Sequence, residues 1–560
     1  MGADFLSDFT ETLGEVVRPR LETWGAAELA GQISLERPAL REHGDLAANV
    51  AMVAARKAKR SPRELAAELV ADMEASPHLA GVVDSIQIAG PGFINFFLQG
   101  SALAAALAGA LGHGLDFGAG TELEPQKILL EFVSANPTGP LHAGHARYAA
   151  FGDSLKRILS FTGNDVTTEF YINDYGSQMD NFGRTLAARY GQQLGRDVPF
   201  PEDGYQGEYP RHVAALIAGE IGDSKLPLVD PVLEPDAVEF FKQRGCEIVL
   251  AEIRRLLESF RVRFDNWYSE SGLYASGAAR NAMDELRAAG EVVEREGAVW
   301  LLTSKYGDDK DRVLIRETGA PTYFASDIAY HRDKLARGYD RLINIWGADH
   351  HGYVPRMKAA FEALAHDPER LEIIIGQLVN IVEMGERRQM SKRAGTMVTL
   401  EELIDSIGVD AARFFLVDRS HDSTLDLDLE QARLQSEENP VYYVQYAHAR
   451  ISSILKKAEA EGVAPAGGGY TSLEPQEREL VLKILEFPQV LLFAGRSREP
   501  HRLTVYGRDL AAAFHVFYHN CPVIKAAPEV AAFRLDLCRA TRNTIKRSLD
   551  LVGVSAPDTM

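Results

Sequence analysis

Two histidines that lie three residues apart could bind a phosphorylated ligand. His142 and His145 stand in the segment PLHAGHARYAAFGD, with Gly144 between them and a loop rich in Pro and Gly before them. Residues i and i+3 share one face of a helix, so a helix beginning near His142 would present both imidazoles from its first turn. Helix N-termini attract phosphate, and imidazole can donate hydrogen bonds to its oxygens. The spacing alone also fits two surface histidines or a metal pair.

A second candidate for phosphate chemistry is a short basic segment much later in the chain. Lys392 lies in EMGERRQMSKRAGTMVTLEEL, in a loop bordered by Gly and followed by a helix that we expect to begin near Thr399. A lysine on such a loop could stabilise the charge on a transferring phosphoryl group. Taken alone, the segment equally fits a solvated surface loop.

Acidic residues in unusual surroundings suggest a site for a cation. Glu131 lies within the apolar run ILLEFV, where a carboxylate is costly unless it is paired. Tyr323 and Asp327 in PTYFASDIAYH are four residues apart, so a helix would place both on one face. The alternative for this second pair is a helix cap beside a core tyrosine.

A further polar cluster follows an apolar run at INIWGADHHGY. Gly347, Asp349 and His350 come directly after this predicted strand. Acidic residues at such positions in nucleotide-binding folds accept hydrogen bonds from ribose hydroxyls. The adjacent histidines do not match a metal-ligand spacing, and we expect no dedicated metal site.

The elements around His142 predict how these side chains are positioned. KILLEFV reads as a buried parallel strand, GHARYAAFGDSLKRILSFTG as a helix and DVTTEFYI as a second strand. Strand, helix and strand at this spacing form a βαβ unit in a parallel sheet. Ligands of such sheets bind beyond the carboxyl ends of the strands, which is where the histidines would lie.

The rest of the chain divides into regions of different pattern. Residues 1–115 mix helical and strand signals, which predicts an α+β domain. Residues 120–385 predict a Rossmann-like, parallel-sheet domain with an insertion at about 186–300. The MSKR loop lies in 386–430, and residues 431–560 predict an all-α domain. The sequence is thus an α/β multidomain chain.

Composition excludes several classes of protein. The 560 residues include 60 Lys and Arg against 80 Asp and Glu, a net charge of −20 that argues against a generic DNA-coating protein. Cys246, Cys521 and Cys538 are far apart and form no CxxC pair, which fits a reducing, cytoplasmic setting. The acidic start is not a secretory signal, and ALAAALAGALG is too short to span a bilayer.

These motifs together resemble those of a known enzyme family. HAGH and MSKR resemble the HIGH and KMSKS motifs of class I aminoacyl-tRNA synthetases. SANPTGPLHAGHARYAAFGD, GVDAARFFLVDR and NPVYYVQYAHARI resemble arginyl-tRNA synthetases in particular, and the resemblance covers nearly the whole chain. In one departure, Gln389 replaces the first lysine of KMSKS, which leaves the role of position 389 open, whereas Lys392 keeps the second.

The resemblance implies an arginine–tRNA ligase. Its substrates would be L-arginine, ATP with Mg²⁺, and tRNA(Arg), with no tightly bound cofactor and with activation that depends on tRNA. It also implies a cytoplasmic monomer, an N-terminal domain that contacts the tRNA elbow, and a C-terminal anticodon-binding domain. Residues 386–430 and the insertion would contact the acceptor stem, and no editing site is expected because a guanidinium is selected by charge.

The resemblance also assigns roles to individual residues. It implies catalytic roles for His142, His145 and Lys392, and ATP binding by these three with Gly144, Gly347, Asp349, His350, Met390 and Ser391. It implies arginine binding by Glu131, Ser134, Asn136, His142, Tyr323 and Asp327, and tRNA binding by Phe93, Asn95, Tyr442, Tyr446 and Arg450. The same tyrosines at helical spacing could instead be core residues.

Two other functions fit part of the pattern. A nucleotidyltransferase of the same fold could act on a small molecule without tRNA, but the extra terminal domains and the MSKR loop argue against it. The second alternative is a catalytically silent paralogue that binds tRNA. The argument against this alternative is that the candidate catalytic and binding residues are intact, namely His142, His145, Lys392 and Asp327.

Overall fold

The N-terminal part of the chain is an α+β unit in the computed structural model, which describes residues 4–38, 40–122, 124–230, 232–388, 397–466 and 470–560. Its elements are α1 (Phe5–Thr23), β1 (Leu35–Glu36), β2 (Leu46–Ala48), α2 (Val50–Ala58), α3 (Pro62–Glu74), β3 (Val83–Ala89), β4 (Phe93–Leu98) and α4 (Gly100–His113). The four strands form an antiparallel sheet in the order β1-β2-β4-β3.

The middle of the chain contains the other eleven described strands. Its elements are β5 (Lys127–Glu131), α5 (Ala143–Thr162), β6 (Asp165–Ile172), α6 (Ser177–Gln193), α7 (Tyr209–Ile221), α8 (Leu226–Val229), α9 (Pro235–Ser259), β7 (Asn266–Ser269), α10 (Glu270–Ala275), α11 (Ala278–Ala288), β8 (Val292–Arg295), β9 (Ala298–Leu301), β10 (Arg312–Ile315), α12 (Tyr323–Ala336), β11 (Arg341–Gly347), α13 (Val354–Ala363), β12 (Leu371–Gly376), β13 (Val379–Glu383), β14 (Glu386–Arg387), α14 (Leu400–Val417), β15 (Leu425–Asp428) and α15 (Leu429–Arg433).

A five-stranded, wholly parallel sheet organises this middle part. Its order is β12-β11-β5-β6-β7, which confirms the predicted Rossmann-like parallel sheet. From β5 the chain adds β6 and β7 on one side, and it later adds β11 and β12 on the other. A ligand crevice is expected where the strand order reverses, which here is at the carboxyl ends of β5 and β11.

The predicted insertion at 186–300 contains one strand of this sheet. Residues Asn266–Ser269 form β7, which pairs in parallel with β6 at the edge. The short segment NWYS lacks the apolar run that marks β5, so the sequence pattern did not reveal it as a sheet strand. AVWLL and RVLIR form strands of a separate antiparallel sheet, β10-β9-β8, and not of the parallel sheet.

The C-terminal part is all-helical, as predicted. Its elements are α16 (Pro440–Ala460), α17 (Pro475–Leu485), α18 (Phe487–Arg496), α19 (His501–Asn520) and α20 (Pro528–Leu551). Helix α20 packs against α16, α17 and α19, so these helices bury a common core. Within the residues described, no helix is both long and apolar enough to cross a membrane.

A buried arginine joins the C-terminal end of the chain to helix α5 beside the parallel sheet. Arg413 on α14 is fully buried and donates to Asp153 Oδ2 on α5 at 2.6 Å. It also donates to the carbonyl oxygens of Phe260 at 2.9 Å and Val552 at 3.0 Å. A buried charge with these partners fixes α14 against α5, and α5 is the helix that begins at the histidine pair.

Candidate active site

A cavity of about 670 Å³ opens at the carboxyl ends of β5, β6 and β11. It lies at the position where the strand order reverses. Each residue predicted to bind ATP or arginine that the structure describes lines this cavity. These residues are Glu131, Ser134, Asn136, His142, Gly144, His145, Tyr323, Asp327, Gly347, Asp349 and His350. Gln389, Met390, Ser391 and Lys392 lie outside the described residues.

The histidine pair forms the first turn of α5. His142 is the N-cap residue, and its Nδ1 accepts from the Gly144 amide at 3.2 Å. His145 Nδ1 accepts from the His142 amide at 3.2 Å, and the two rings stack with centroids 3.8 Å apart. Because Nδ1 is an acceptor in both rings, a neutral imidazole carries its proton on Nε2. Both rings therefore present an Nε2–H donor at a helix N-terminus.

The backbone brings the end of the MSKR segment to this helix start. The Ala143 amide donates to the Val398 carbonyl at 3.0 Å, and the Leu400 amide donates to the Leu141 carbonyl at 2.8 Å. Helix α14 then begins as predicted, with Thr399 and Glu402 in a reciprocal capping box. Residues 398–400, which follow the MSKR motif, thus adjoin the start of α5 through main-chain hydrogen bonds.

The loop after β5 has a strained backbone. Val133 and Ser134 have φ values of 69° and 33°, a region that residues other than glycine rarely adopt. The strain is about 1–3 kcal/mol per residue, and such strain clusters at binding sites. It aims the Ser134 hydroxyl back at the strand end, where it donates to Glu131 Oε1 at 2.8 Å and accepts from the Tyr171 amide at 3.2 Å.

The carboxylate of Glu131 is paired, as its position in an apolar strand required. Lys334, which is fully buried on α12, donates to Glu131 Oε2 and to Asn344 Oδ1, the latter at 3.0 Å. Lys334 was not foreseen from the sequence, because it lies 203 residues away in an ordinary helical pattern.

Two other carboxyl groups in the cavity have strongly raised pKa values. Burial, followed by the charge of Glu131, raises the pKa of Asp327 to about 7, although Tyr353 donates a hydrogen bond to it. Burial, followed by the charge of Asp327, raises the pKa of Glu270 to about 7. Two acids whose ionised forms are disfavoured by burial and by neighbouring negative charge form a site that a cationic ligand would stabilise.

Glu270 was missed by the sequence analysis. It is the first residue of α10 and follows directly after β7, so it stands at the carboxyl end of a sheet strand. Asp174 holds this strand end by accepting from the Ser269 hydroxyl at 2.6 Å and from the Ser271 amide at 2.8 Å. Assigning β7 to the parallel sheet would have placed Glu270 beside the other candidates.

Tyr323 and Asp327 share one face of α12, as their spacing predicted. Thr322 caps this helix, and Tyr323 is 61% exposed, which rules out a core tyrosine. Its hydroxyl lies at the cavity beside Gly176, 3.9 Å from the position that a Cβ atom would take at that glycine. Tyr323 thus stands at the rim while Asp327 lies deeper.

The opposite end of the cavity is more open. Asp349 and His350 lie in a 3₁₀ turn, Ala348–Tyr353, directly after β11. Their side chains are 81% and 53% exposed, so they are accessible to a ligand. Tyr148 of α5 closes the floor by donating its hydroxyl to the Gly376 carbonyl at 3.2 Å. A Cβ at Gly376 would lie 2.3 Å from the Tyr148 ring, so only glycine leaves room for it.

The residues predicted to contact tRNA lie outside the cavity. Phe93 and Asn95 are in β4, and Asn95 is only 4% exposed, so the structure does not present its side chain to solvent. Tyr442 and Tyr446 stack on α16 with centroids 6.3 Å apart, and the Arg450 guanidinium lies 5.4 Å from the Tyr446 ring. Tyr442, Tyr446 and Arg450 are each partly exposed.

Comparison with known proteins decides the family. Three family models match in succession: the arginyl tRNA synthetase N terminal domain over residues 7–98, the catalytic domain of class I tRNA synthetases (R) over 110–452, and the DALR anticodon binding domain over 444–560. An arginine–tRNA ligase of Moorella thermoacetica is 46% identical, covering 98% of this chain and 99% of its own. The chain belongs to the arginyl-tRNA synthetase family.

Other members of the family also match this chain over nearly its whole length. An arginine–tRNA ligase of Geobacillus thermodenitrificans is 46% identical, with all of both chains covered. The solved arginyl-tRNA synthetase of Thermus thermophilus has the same fold, with a TM-score of 0.75, 22% identity, and coverage of 97% of this chain and 100% of its own. The three-part order of the family models matches the order of α+β, parallel-sheet and all-helical parts described above.

Proposed function

We propose that this chain is an arginine–tRNA ligase that works in two steps. A carboxylate oxygen of L-arginine attacks the α-phosphorus of ATP, and the bond to the departing pyrophosphate breaks. The 3′-terminal ribose hydroxyl of tRNA(Arg) then attacks the arginyl carbonyl carbon, and AMP leaves. The single observation that carries this proposal is the pair of acids with raised pKa values, Asp327 and Glu270, in the same cavity as the histidine pair.

The acidic pair supports arginine as the amino acid. A guanidinium is always charged and presents several donors in one plane, so it can pair with two carboxylates at once. Asp327 and Glu270 both line the cavity, and burial raises the pKa of each carboxyl to about 7, so a bound cation would favour the ionised form of both. Tyr323 at the rim would cover the side-chain end of the ligand.

The opposite end of the cavity supports ATP binding. The reacting carboxylate of arginine must reach the α-phosphate, which would lie at the Nε2–H groups of His142 and His145. The α-ammonium group would then lie near Glu131, Ser134 and Asn136, which line the cavity between these two ends. In-line phosphoryl chemistry depends mainly on such positioning and charge stabilisation.

The remaining ATP contacts follow from the same placement. Asp349 would accept from the ribose hydroxyls, with Gly347 and His350 beside it. Lys392, with Met390 and Ser391, would stabilise the pyrophosphate from the segment that joins α14 at the histidine helix. Mg²⁺ would enter with ATP as part of the substrate and neutralise its phosphate charge.

We assign the tRNA contacts to the two terminal domains and to residues 386–430. Residues 1–115 would meet the elbow, and 386–430 would meet the acceptor stem. Residues 431–560 would bind the anticodon, where Tyr442, Tyr446 and Arg450 offer an aromatic and cationic surface for stacking on splayed bases. We also propose that arginine activation depends on bound tRNA(Arg), within a cytoplasmic monomer whose catalytic unit is residues 120–385.

Pyrophosphate exchange tests the proposal. We expect exchange between pyrophosphate and ATP only with L-arginine among the standard amino acids, and only when tRNA(Arg) is present. Exchange that is indifferent to arginine would refute the ligase assignment. Rapid arginine-dependent exchange without tRNA would refute the tRNA requirement alone.

A further inference from the structure

Lys334 is a fully buried cation for which the two reaction steps have no direct use. It lies on α12 behind the cavity wall, with no exposed surface. Its ammonium group donates to Glu131 Oε2 and to Asn344 Oδ1, and it lies 4.2 Å from the centre of the Tyr330 ring. Two of its N–H groups thus have oxygen acceptors, and the ammonium group also has a cation–π contact. A buried charge with these partners is held in one place.

The hydrogen bonds continue from Lys334 to the other side of the cavity. The Asn344 amide donates to His331 Nε2 at 2.7 Å, and His331 Nδ1 donates to the Asp327 carbonyl oxygen at 2.7 Å. Burial, together with the charge of Lys334, lowers the pKa of His331 to about 3, so this ring is neutral. One tautomer satisfies both bonds, which fixes the direction of the whole chain of hydrogen bonds.

Glu131 is held at both of its oxygens by this arrangement. Ser134 donates to Oε1 at 2.8 Å while Lys334 donates to Oε2. Asn344 is the residue opposite Glu131 in the pairing of β11 with β5, so the partners come from adjoining strands. A carboxylate accepts about four hydrogen bonds, which leaves Glu131 capacity for a donor that enters the cavity.

We propose that Lys334 is a positioning residue for amino-acid recognition, because it holds Glu131 in the orientation that receives the α-ammonium group of arginine. The proposal rests on the proposed function and adds a residue that does not touch the substrate. Without Lys334, the buried Glu131 would lose the donor that holds Oε2 and would keep only Ser134 at Oε1, so its carboxylate would no longer be fixed towards the ammonium group.

A double-mutant cycle on Glu131 and Lys334 tests this role. The variants are Glu131→Gln, Lys334→Met and the double variant, assayed by pyrophosphate exchange with tRNA(Arg). We expect Lys334→Met to raise KM for arginine by about tenfold or more, as expected for a charged hydrogen bond, with KM for ATP changed less than about twofold. The double variant should match Glu131→Gln within about twofold, because Lys334 acts through Glu131.

A matched buried ion pair provides the control. Arg534 on α20 donates to the fully buried Glu477 at 2.6 Å, far from the cavity lining. Arg534→Met should lower the melting temperature and leave KM for arginine unchanged. An equal rise of KM in Arg534→Met would overturn the proposal, since the effect would then be general destabilisation.

Two further outcomes also decide the question. An unchanged KM for arginine in Lys334→Met overturns the positioning role, provided that the wild-type chain charges tRNA(Arg). If Lys334→Met does not fold, the double variant is used instead, because it removes both charges. A KM for arginine in the double variant about tenfold above that of Glu131→Gln would overturn the proposal. A wild-type chain that fails to activate arginine would instead refute the proposed function.

Discussion

Asp327→Asn should weaken arginine binding while stabilising the protein without ligand. Asparagine has nearly the same shape, and its Oδ1 can still accept the hydrogen bond that Tyr353 donates to Asp327. The backbone carbonyl that accepts from His331 is unaffected. The change therefore removes one negative charge and leaves the local hydrogen bonds in place.

The stability effect follows from the sign of the pKa shift. The pKa of Asp327 rises from 3.8 to about 7 on folding, so the folded state disfavours the ionised form. This destabilisation grows as pH rises from about 4 to about 7 and is then constant, with an upper bound of ~4 kcal/mol. An amide also loses hydration on burial, so we expect a gain of about 2 kcal/mol at pH 8, measured by chemical denaturation.

The binding effect has the opposite sign. Removing one partner of a buried guanidinium–carboxylate pair costs about 2–5 kcal/mol, so KM for arginine should rise roughly 100-fold in pyrophosphate exchange. In the wild-type enzyme, KM should rise as pH falls below about 7, because both Asp327 and Glu270 must ionise to bind the guanidinium. The variant should lose part of this pH dependence.

A control on the same helix tests whether the effect on arginine binding is specific to the cavity. Asp333 on α12 pairs with Arg337 at 3.2 Å and lies outside the cavity lining. Asp333→Asn should change KM for arginine by less than about twofold, since the charge lost is a partly exposed one. A KM for Asp327→Asn within about threefold of wild type, or a clear loss of stability, would refute the electrostatic reasoning.

Three further substitutions probe the other parts of the site. His145→Ala should lower kcat of pyrophosphate exchange by about 100-fold, because one donor to the transition state is lost, with KM for arginine little changed. Gly376→Ala should raise KM for ATP and destabilise the fold by about 1–3 kcal/mol, because the added methyl group displaces Tyr148. The control is Gly109→Ala, which should leave stability unchanged or increase it, because nothing lies within 4 Å of the added methyl group. Arg450→Ala should raise KM for tRNA(Arg) several-fold in aminoacylation without altering KM for arginine. Equal effects on both substrates would contradict the assignment of Arg450 to the anticodon surface.

The features that the sequence predicted well are local ones. The apolar run KILLE becomes the buried strand β5, and the Gly and Pro residues that follow mark the loop before α5. The reciprocal cap of Thr399 and Glu402 was visible as a four-residue pattern. Each of these signals depends on neighbours within a few residues, and neighbouring residues determine helix caps and strand periodicity.

The features that the sequence did not reveal depend on distant partners. Lys334 is an ordinary helical lysine by its local pattern, and only the packing of α12 behind β5 makes it the partner of Glu131. Glu270 was hidden because the short strand β7 has no apolar run. The strained φ values of Val133 and Ser134 also have no signature in the residue types, since neither residue favours that conformation.

In the proposed binding mode, the same electrostatics would let one cavity select arginine without a second, editing site. Lysine brings a compact ammonium group that can pair closely with only one of the two carboxylates, Asp327 or Glu270. The second carboxylate is then left in the cavity without a cationic partner. Citrulline has the shape of arginine but no charge, so it cannot stabilise the ionised forms of two acids whose pKa values are raised mainly by burial. In each case, the wrong amino acid leaves buried polar groups unsatisfied, and this type of mismatch gives stronger discrimination than a difference of one methylene group. Fixed acids are required for this discrimination, because a carboxylate that could turn away to solvent would not be penalised by the wrong ligand.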